Sequence, residues 1–160
     1  MTASVTRVYR FSASHRLHTA ALSESENARI FGKCNNPYGH GHNYELSVTV
    51  HGPIDPQTGL VVPPAGLDSY VEDRVLRRFS NRNINKDVAP FATLVPTTEN
   101  LTTVIADLLR AEWPFASDSS SVTLRRVHVQ ETPRNGFEFI LERPHVPELN
   151  PAPASGLLKR

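Results

Sequence analysis

The stretch of chain from residue 40 to residue 51 reads HGHNYELSVTVH, and polar and apolar side chains alternate along most of it. Successive side chains of a β-strand point to opposite faces of the sheet, so every second residue here shares a face. The face expected to turn inward carries His40, His42, Tyr44, Leu46, Val48 and Val50. The pattern predicts a strand, buried on one face, whose inward side begins with two histidines.

A second strand-like stretch precedes this one. Residues 5–15 read VTRVYRFSASH, and the face that contains Tyr9, Phe11 and Ala13 ends in His15. Residues 16–39 are polar and rich in turn-forming residues, so we expect a long loop, which carries Cys34. If the two strands pair around this loop, His15 meets the two histidines of the next strand.

Two helices are expected in the middle of the chain. Apolar residues recur at helical intervals across residues 67–79. After an irregular stretch, 80–96, Thr97 offers an N-cap and Glu99 a first-turn carboxylate to a second helix, whose apolar residues run from 101 to 109.

Two further strands, at residues 122–131 and 137–142, complete the predicted fold. The residues between them, 133–136, end in Asn-Gly, which suits a hairpin turn. The order ββααββ predicts an α+β fold with a four-stranded antiparallel sheet and two helices on one face. We expect a single domain over residues 1–143 and a proline-rich C-terminal tail over 144–160.

The composition favours a small-molecule partner in the cytoplasm. The 160 residues include 17 basic and 16 acidic side chains, mixed along the sequence, which argues against nucleic-acid or membrane-surface binding. Neither a signal-peptide core nor an apolar run long enough for a membrane span is present. The single cysteine cannot form an internal disulfide, which agrees with a reducing compartment.

The three histidines form a candidate zinc site. His40 and His42 point the same way from one strand and can both reach an ion at zinc–nitrogen distances of about 2.0–2.1 Å. With His15 they leave a fourth position open, as catalytic zinc sites do. Alternatively, the pair is incidental, with one histidine in the core and one at the surface. Cys34 could also be a fourth ligand, which would make the site closed and structural.

Two further residues could take part in chemistry. Cys34 lies on the loop before His40, where a cation such as Lys33 could lower its pKa and favour the thiolate, although a lone cysteine is often a small buried hydrophobe. Glu131 shares the parity of Val127 and Val129, which suggests an inward carboxylate rather than a solvated one. An amino-pyrimidinone edge would offer that carboxylate two parallel hydrogen bonds.

Four segments, in this order and spacing, resemble the 6-pyruvoyl-tetrahydropterin synthase family over about residues 6–143: FSASHRLH, FGKCNNPYGHGHNYELSVTVHGPIDPQTG, TTEN and VHVQET. The five residues between the cysteine and His-Gly-His are similar to the pyruvoyl branch, whereas the related 6-carboxytetrahydropterin synthases usually have a shorter spacing. The resemblance implies the T-fold, usually assembled as a homohexamer of two trimers with sites at subunit interfaces.

The resemblance also implies roles for individual residues. It matches the zinc ligands to His15, His40 and His42, the catalytic cysteine to Cys34, the pterin anchor to Glu131, and the motif near the pterin pocket to Thr97, Thr98 and Glu99. The family reaction is that of a carbon–oxygen lyase: it expels triphosphate from 7,8-dihydroneopterin triphosphate and redistributes hydrogens along the substrate's side chain. Zinc acidifies the C–H and O–H bonds of that side chain, and the cysteine is the expected base.

The sequence departs from the family pattern at two places. The family's Asp-His pair aligns with Ser80-Asn81, and neither of these residues titrates near neutral pH, so the proton relay is missing. Pro63 and Gly66 stand where the family tends to have an asparagine or aspartate and then an aspartate, so the start of the first helix could differ.

A zinc-dependent lyase acting on the family substrate is therefore the leading hypothesis. With zinc and thiol present but the relay missing, the same substrate could instead be cleaved in its side chain, as by an aldolase, or processed to a 6-carboxy product. A third hypothesis is a paralogue that binds pterin without turnover.

Overall fold

The computed structural model describes residues 1–117 and 120–141 of the chain. Its strands are β1 (Thr2–His15), β2 (His40–Pro53), β3 (Arg82–Asn83), β4 (Ala116–Ser117), β5 (Ser120–Ser121), β6 (Thr123–Thr132) and β7 (Asn135–Ile140). Five of them form one sheet in the order β3-β1-β2-β6-β7, while β4 and β5 form a separate two-stranded sheet. The longest strands, β1 and β2, lie next to each other inside the sheet.

The helices are α1 (Glu24–Phe31), α2 (Pro64–Val71), α3 (Arg77–Phe79), α4 (Ile84–Asp87) and α5 (Thr98–Arg110). A π-helical turn over Glu72–Leu76 joins α2 to α3, so the backbone is helical from residue 64 to residue 79. Both predicted helices are therefore present. Thr97 is the N-cap of α5, and its hydroxyl accepts a hydrogen bond from the Asn100 backbone N–H, as the sequence pattern indicates.

The pairing of β1 with β2 is antiparallel and runs without a register shift from Thr2 opposite Pro53 to His15 opposite His40. Every second side chain of both strands turns inward, which confirms the predicted parity. The inward side chains of β2 pack with those of the long helices in one core: Tyr44, Leu46, Val48, Val50, Leu67, Val75, Phe79, Leu101, Ile105 and Leu109. The helices cover this face of the sheet, which leaves the opposite face largely polar.

The start of α2 has no hydrogen bond from a capping side chain. Pro63 is the N-cap and Pro64 the first helical residue, where the fixed backbone angle of proline suits a helix start and its missing N–H costs nothing. Asp68, one turn further on, accepts hydrogen bonds from Arg7 Nε and from the Tyr9 hydroxyl, both at 2.9 Å. These bonds tie the first turns of α2 to β1.

The α+β class and the helix positions are confirmed, but three details differ from expectation. The sheet has a fifth, two-residue strand, β3, that runs parallel to β1, so the sheet is mixed. The segment 16–39 is not all loop, because a capping box between Ser23 and Glu26 starts α1. The β6–β7 turn lies at Pro133-Arg134, so Asn135 and Gly136 belong to β7.

The predicted proline-rich tail, 144–160, lies outside the described residues. Among the residues that are described, no helix is long and apolar enough to cross a membrane.

Gly39, which leads into β2, should be sensitive to substitution for two separate reasons. Its φ of 71° is unfavourable for other residues, and a Cβ there would lie 2.8 Å from the His15 carbonyl oxygen. Gly59 has a similar φ of 73° but has open space around the corresponding position. Gly59→Ala should therefore cost about 1–2 kcal/mol of unfolding free energy, and Gly39→Ala about 1–3 kcal/mol more because of the backbone contact.

Urea denaturation of the two variants and the parent protein measures both costs. Equal losses of unfolding free energy in Gly39→Ala and Gly59→Ala would show that the close approach of the His15 carbonyl adds no cost at position 39.

Candidate metal centre

Three imidazoles gather where β1 ends and β2 begins. The ring centroids lie 4.9 Å apart for His15 and His40, 5.0 Å for His15 and His42, and 4.7 Å for His40 and His42. The antiparallel register causes this, because it sets His15 directly opposite His40 and places Ala13 opposite His42. The small alanine leaves space for the imidazoles beside it.

His15 is fully buried, and its orientation is fixed from outside the sheet. Its Nδ1 donates a hydrogen bond of 2.9 Å to the carbonyl oxygen of Pro96, the residue before the N-cap of α5. A proton on Nδ1 leaves Nε2 unprotonated, and Nε2 is the atom that can coordinate a metal. The start of α5 thus selects the tautomer of the central histidine.

The ring nitrogens that would bind a metal have no hydrogen-bond partner in the described part of the protein. His15 Nε2, His40 Nδ1 and His42 Nε2 are all buried without a hydrogen bond. Burial lowers the pKa of His15 and of His42, so these rings stay neutral, which is the state that metal coordination requires. Buried nitrogens without partners are costly, and a metal ion such as zinc would satisfy them, so this donor set fits a metal ion.

Two other predicted residues come within reach of the same nitrogens. The donor atoms of His15, Cys34 and His40 lie within 4.8 Å of one another, and so do those of His15, His42 and Glu131. His15 is common to both sets, so it lies at the centre of the cluster. The structure therefore brings together all three predicted histidines, the cysteine and the glutamate.

The surroundings of Cys34 oppose ionisation of its thiol. Burial first, and then the negative charge of Glu131, raise the pKa of Cys34. Lys33, considered above as a cation that could lower this pKa, is exposed and does not offset these two effects. The protein's own groups thus favour the thiol over the thiolate.

Glu131 points inward at the end of β6, as its parity predicts. Its side chain is only 9% exposed, and Oε1 lies 3.6 Å from His15 Nε2 and 3.8 Å from His42 Nε2. The Tyr44 hydroxyl donates to Oε1 at 3.4 Å, and Asn135 Nδ2 donates to Oε2 at 2.8 Å. Burial, followed by Glu131, raises the pKa of Tyr44, so this phenol remains a donor.

Asn135 is a site residue that the sequence did not single out, because Asn-Gly pointed to a turn there. Its amide nitrogen also lies 2.9 Å from the Thr98 hydroxyl, so it links the first turn of α5 to Glu131. Thr98 is buried at this junction, whereas Thr97 serves as the helix cap and Glu99 is exposed. Of the predicted Thr-Thr-Glu motif, Thr98 is the member that joins this hydrogen-bonded link to Glu131.

Asn81 lies beside β1 next to β3, on the side of β1 that faces away from β2. It adopts a left-handed backbone conformation, with φ of 58°, and its N–H donates to the Ser12 carbonyl at 2.6 Å. Together with His42 it lines an open cavity of about 390 Å³ at this edge of the sheet. Asn81, which stands at the family's histidine position, therefore lines the same cavity as His42, a candidate metal ligand.

Comparison with known proteins places this arrangement in a family. The family model described as 6-pyruvoyl tetrahydropterin synthase matches residues 4–142. The 6-pyruvoyl tetrahydrobiopterin synthase of Homo sapiens is 47% identical over 133 residues, which are 83% of this chain and 88% of that protein. The Drosophila melanogaster enzyme of the same name is 44% identical over 137 residues, 86% and 79% of the two sequences.

The solved structures agree on the fold. The Caenorhabditis elegans 6-pyruvoyl tetrahydropterin synthase superposes with a TM-score of 0.78 at 39% identity, over 89% of this chain and 97% of that one. The Plasmodium vivax 6-pyruvoyl tetrahydropterin synthase, at 18% identity and a TM-score of 0.62 over 87% and 97% of the two proteins, supports the fold alone. The expected T-fold is therefore confirmed, and the chain belongs to the 6-pyruvoyl tetrahydropterin synthase family.

Proposed function

We propose that this protein is a zinc-dependent lyase that acts on 7,8-dihydroneopterin triphosphate, eliminates triphosphate and forms a 6-pyruvoyl-tetrahydropterin. One observation carries the proposal: three imidazoles whose buried nitrogens make no hydrogen bond lie side by side, next to a thiol and an inward carboxylate. The names of the relatives support the substrate class, because the relatives in human and in Drosophila are 6-pyruvoyl tetrahydrobiopterin synthases.

His15, His40 and His42 would hold the zinc ion in this proposal. When bound, zinc would polarise an oxygen of the substrate's side chain and make the neighbouring C–H bonds more acidic. Cys34, beside His15 and His40, would take the proton from carbon as a base. Glu131 would accept two hydrogen bonds from the amino-pyrimidinone edge, while Asn135 and Tyr44 hold its carboxylate in place. Thr97, Thr98 and Glu99 are assigned to the surroundings of the pterin on the family match.

We further propose a cytoplasmic homohexamer built from two trimers. The face of the sheet that the helices do not cover is largely polar but exposes Val8 at 53% and Ile140 at 61%, and neighbouring copies could cover these two apolar side chains. A cytoplasmic location suits the proposed use of Cys34 as a free thiol, because a reducing compartment keeps it unoxidised.

Ser80 and Asn81 favour three alternative outcomes with the same substrate. Neither residue titrates near neutral pH, so the proton transfers after the first abstraction lack the family's relay. Cleavage of the substrate's side chain between carbons, formation of a 6-carboxy product, or binding without turnover would then replace the full reaction. The mass of the pterin product distinguishes these outcomes from the leading proposal.

Zinc content tests the metal assignment without any activity measurement. The parent protein, reconstituted and dialysed, should retain about one zinc ion per polypeptide and melt at a higher temperature with it. His42→Ala should lose the ion, since three ligands become two. His51→Ala is the matched control, because His51 faces away and contacts the Ser4 hydroxyl at 3.0 Å. Retention of zinc by His42→Ala, or its loss from His51→Ala, would contradict the assigned ligands.

Substitution of Cys34 separates the role of a base from that of a ligand. We expect Cys34→Ala to keep zinc and to bind the pterin substrate but to release no triphosphate, because the proposed base is gone. Triphosphate release, zinc content and product mass are measured on the same samples. A large loss of zinc from Cys34→Ala would instead indicate a closed, structural site with the thiolate as fourth ligand.

Restoration of the family pair tests whether the missing relay limits turnover. A general acid/base contributes about 10²- to 10⁴-fold to a rate, so Ser80→Asp combined with Asn81→His should raise kcat by at least about tenfold. Histidine tolerates the left-handed conformation of residue 81 better than most residues. Single substitutions serve as controls, since each restores half of the pair. An unchanged kcat in the folded double variant would show that the relay is not limiting.

A further inference from the structure

Two asparagine side chains bind the three residues that directly follow His15. Asn85, on α4, contacts the Arg16 backbone twice: its Oδ1 accepts from the N–H at 2.8 Å, and its Nδ2 donates to the carbonyl at 3.0 Å. Asn35 donates from Nδ2 to the Leu17 carbonyl at 2.8 Å and to His18 Nδ1 at 3.1 Å. Both amides thus act on the short segment Arg16–His18.

That segment is bonded in turn to the backbone around the cysteine. The Leu17 N–H donates to the Cys34 carbonyl at 2.8 Å, and Arg16 Nε donates to the Asn35 carbonyl at 3.2 Å. Asn35 itself is only 9% exposed. Residues 34 and 35 together therefore accept hydrogen bonds from the segment Arg16–His18 and donate to it, although they are distant from it along the sequence.

We propose that Asn35 and Asn85 are positioning residues that hold the Cys34 thiol beside His15 and His40. Neither amide is among the groups that contact the histidine cluster, so each would act through the segment Arg16–His18. Without these side-chain bonds, the segment would keep only the Leu17 N–H and Arg16 Nε bonds as its hydrogen bonds to the backbone of Cys34 and Asn35. The effect on turnover rests on the function proposed above, whereas the effect on the thiol does not.

Alkylation of the thiol by iodoacetamide measures the proposed effect directly, because Cys34 is the single cysteine of the protein. In the zinc-loaded protein, at alkaline pH where the rate no longer rises with pH and ionisation of the thiol is complete, Asn35→Ala and Asn85→Ala should each raise the alkylation rate about tenfold, since local opening exposes the half-buried thiol more often. Asn35→Asp keeps the side-chain volume but loses the donor, so it should behave like Asn35→Ala. The double alanine variant should give less than the product of the single effects, because both act on one segment.

Asn27 provides a matched control within the same excursion. It is fully buried, donates to the Thr19 and Leu22 carbonyls at 2.9 Å and 3.0 Å, and makes no bond to residues 34 or 35. Asn27→Ala should lower the melting temperature and leave the alkylation rate of Cys34 unchanged. An equal rise of that rate in Asn27→Ala, or no rise in the folded Asn35 and Asn85 variants, would overturn the positioning role.

Turnover provides the second measurement. With 7,8-dihydroneopterin triphosphate, the Asn35 and Asn85 variants should lose about 10- to 100-fold in kcat with KM unchanged, since a misplacement of about 1 Å costs that much. A change in KM alone would overturn the positioning role. If the parent protein shows no turnover, the proposed function is overturned. Faster alkylation in the variants would still support the positioning role in that case.

Discussion

The antiparallel pairing of β1 with β2 determines where every other part of the site can lie. The two strands pair over their full length in one register, and a slip by one residue would move all inward side chains to the opposite face. The apolar side chains of both strands are therefore tied to the same register as the histidines. Burial of Phe11, Tyr44 and Leu46 against the helices fixes the register, and the register then sets His15 against His40.

Several other parts of the site meet at the same end of the sheet around the start of the helix α5. Its start follows Pro96, whose carbonyl orients His15, and its first turn contains Thr98. Asn135 joins Thr98 to Glu131, so the end of β6, the start of β7 and the start of α5 meet there. The helix start that the N-cap pattern predicts thus helps to hold His15, a candidate metal ligand, and Glu131, a candidate substrate anchor.

The parts of this arrangement that follow from local patterns could be predicted from the sequence. Strand parity predicted the inward histidines and Glu131, and helical spacing with an N-cap predicted α5. The helix α1 was missed because it buries little apolar surface, although its capping box at Ser23 and Glu26 was present. The sequence pattern places Asn135 in a turn. Whether Asn-Gly forms a turn or continues a strand depends on the register with the partner strand, which the local pattern does not contain. The contacts of Asn35 and Asn85 join residues distant in sequence, and no periodicity reports them.

The electrostatics of the cluster explain why a cation and a thiolate belong together in it. Burial lowers the pKa of His15 and His42, so these two rings offer neutral ligands, while burial and Glu131 raise the pKa of Cys34. In the protein alone, the formal charge that acts on the thiol is therefore a carboxylate, and the thiol stays protonated. A divalent ion on the same nitrogens would reverse the sign of the local field and favour the thiolate. Ionisation of Cys34 would thus depend on a cation bound to the histidines. The contacts that keep the thiol beside the histidines are then as necessary as the thiol itself.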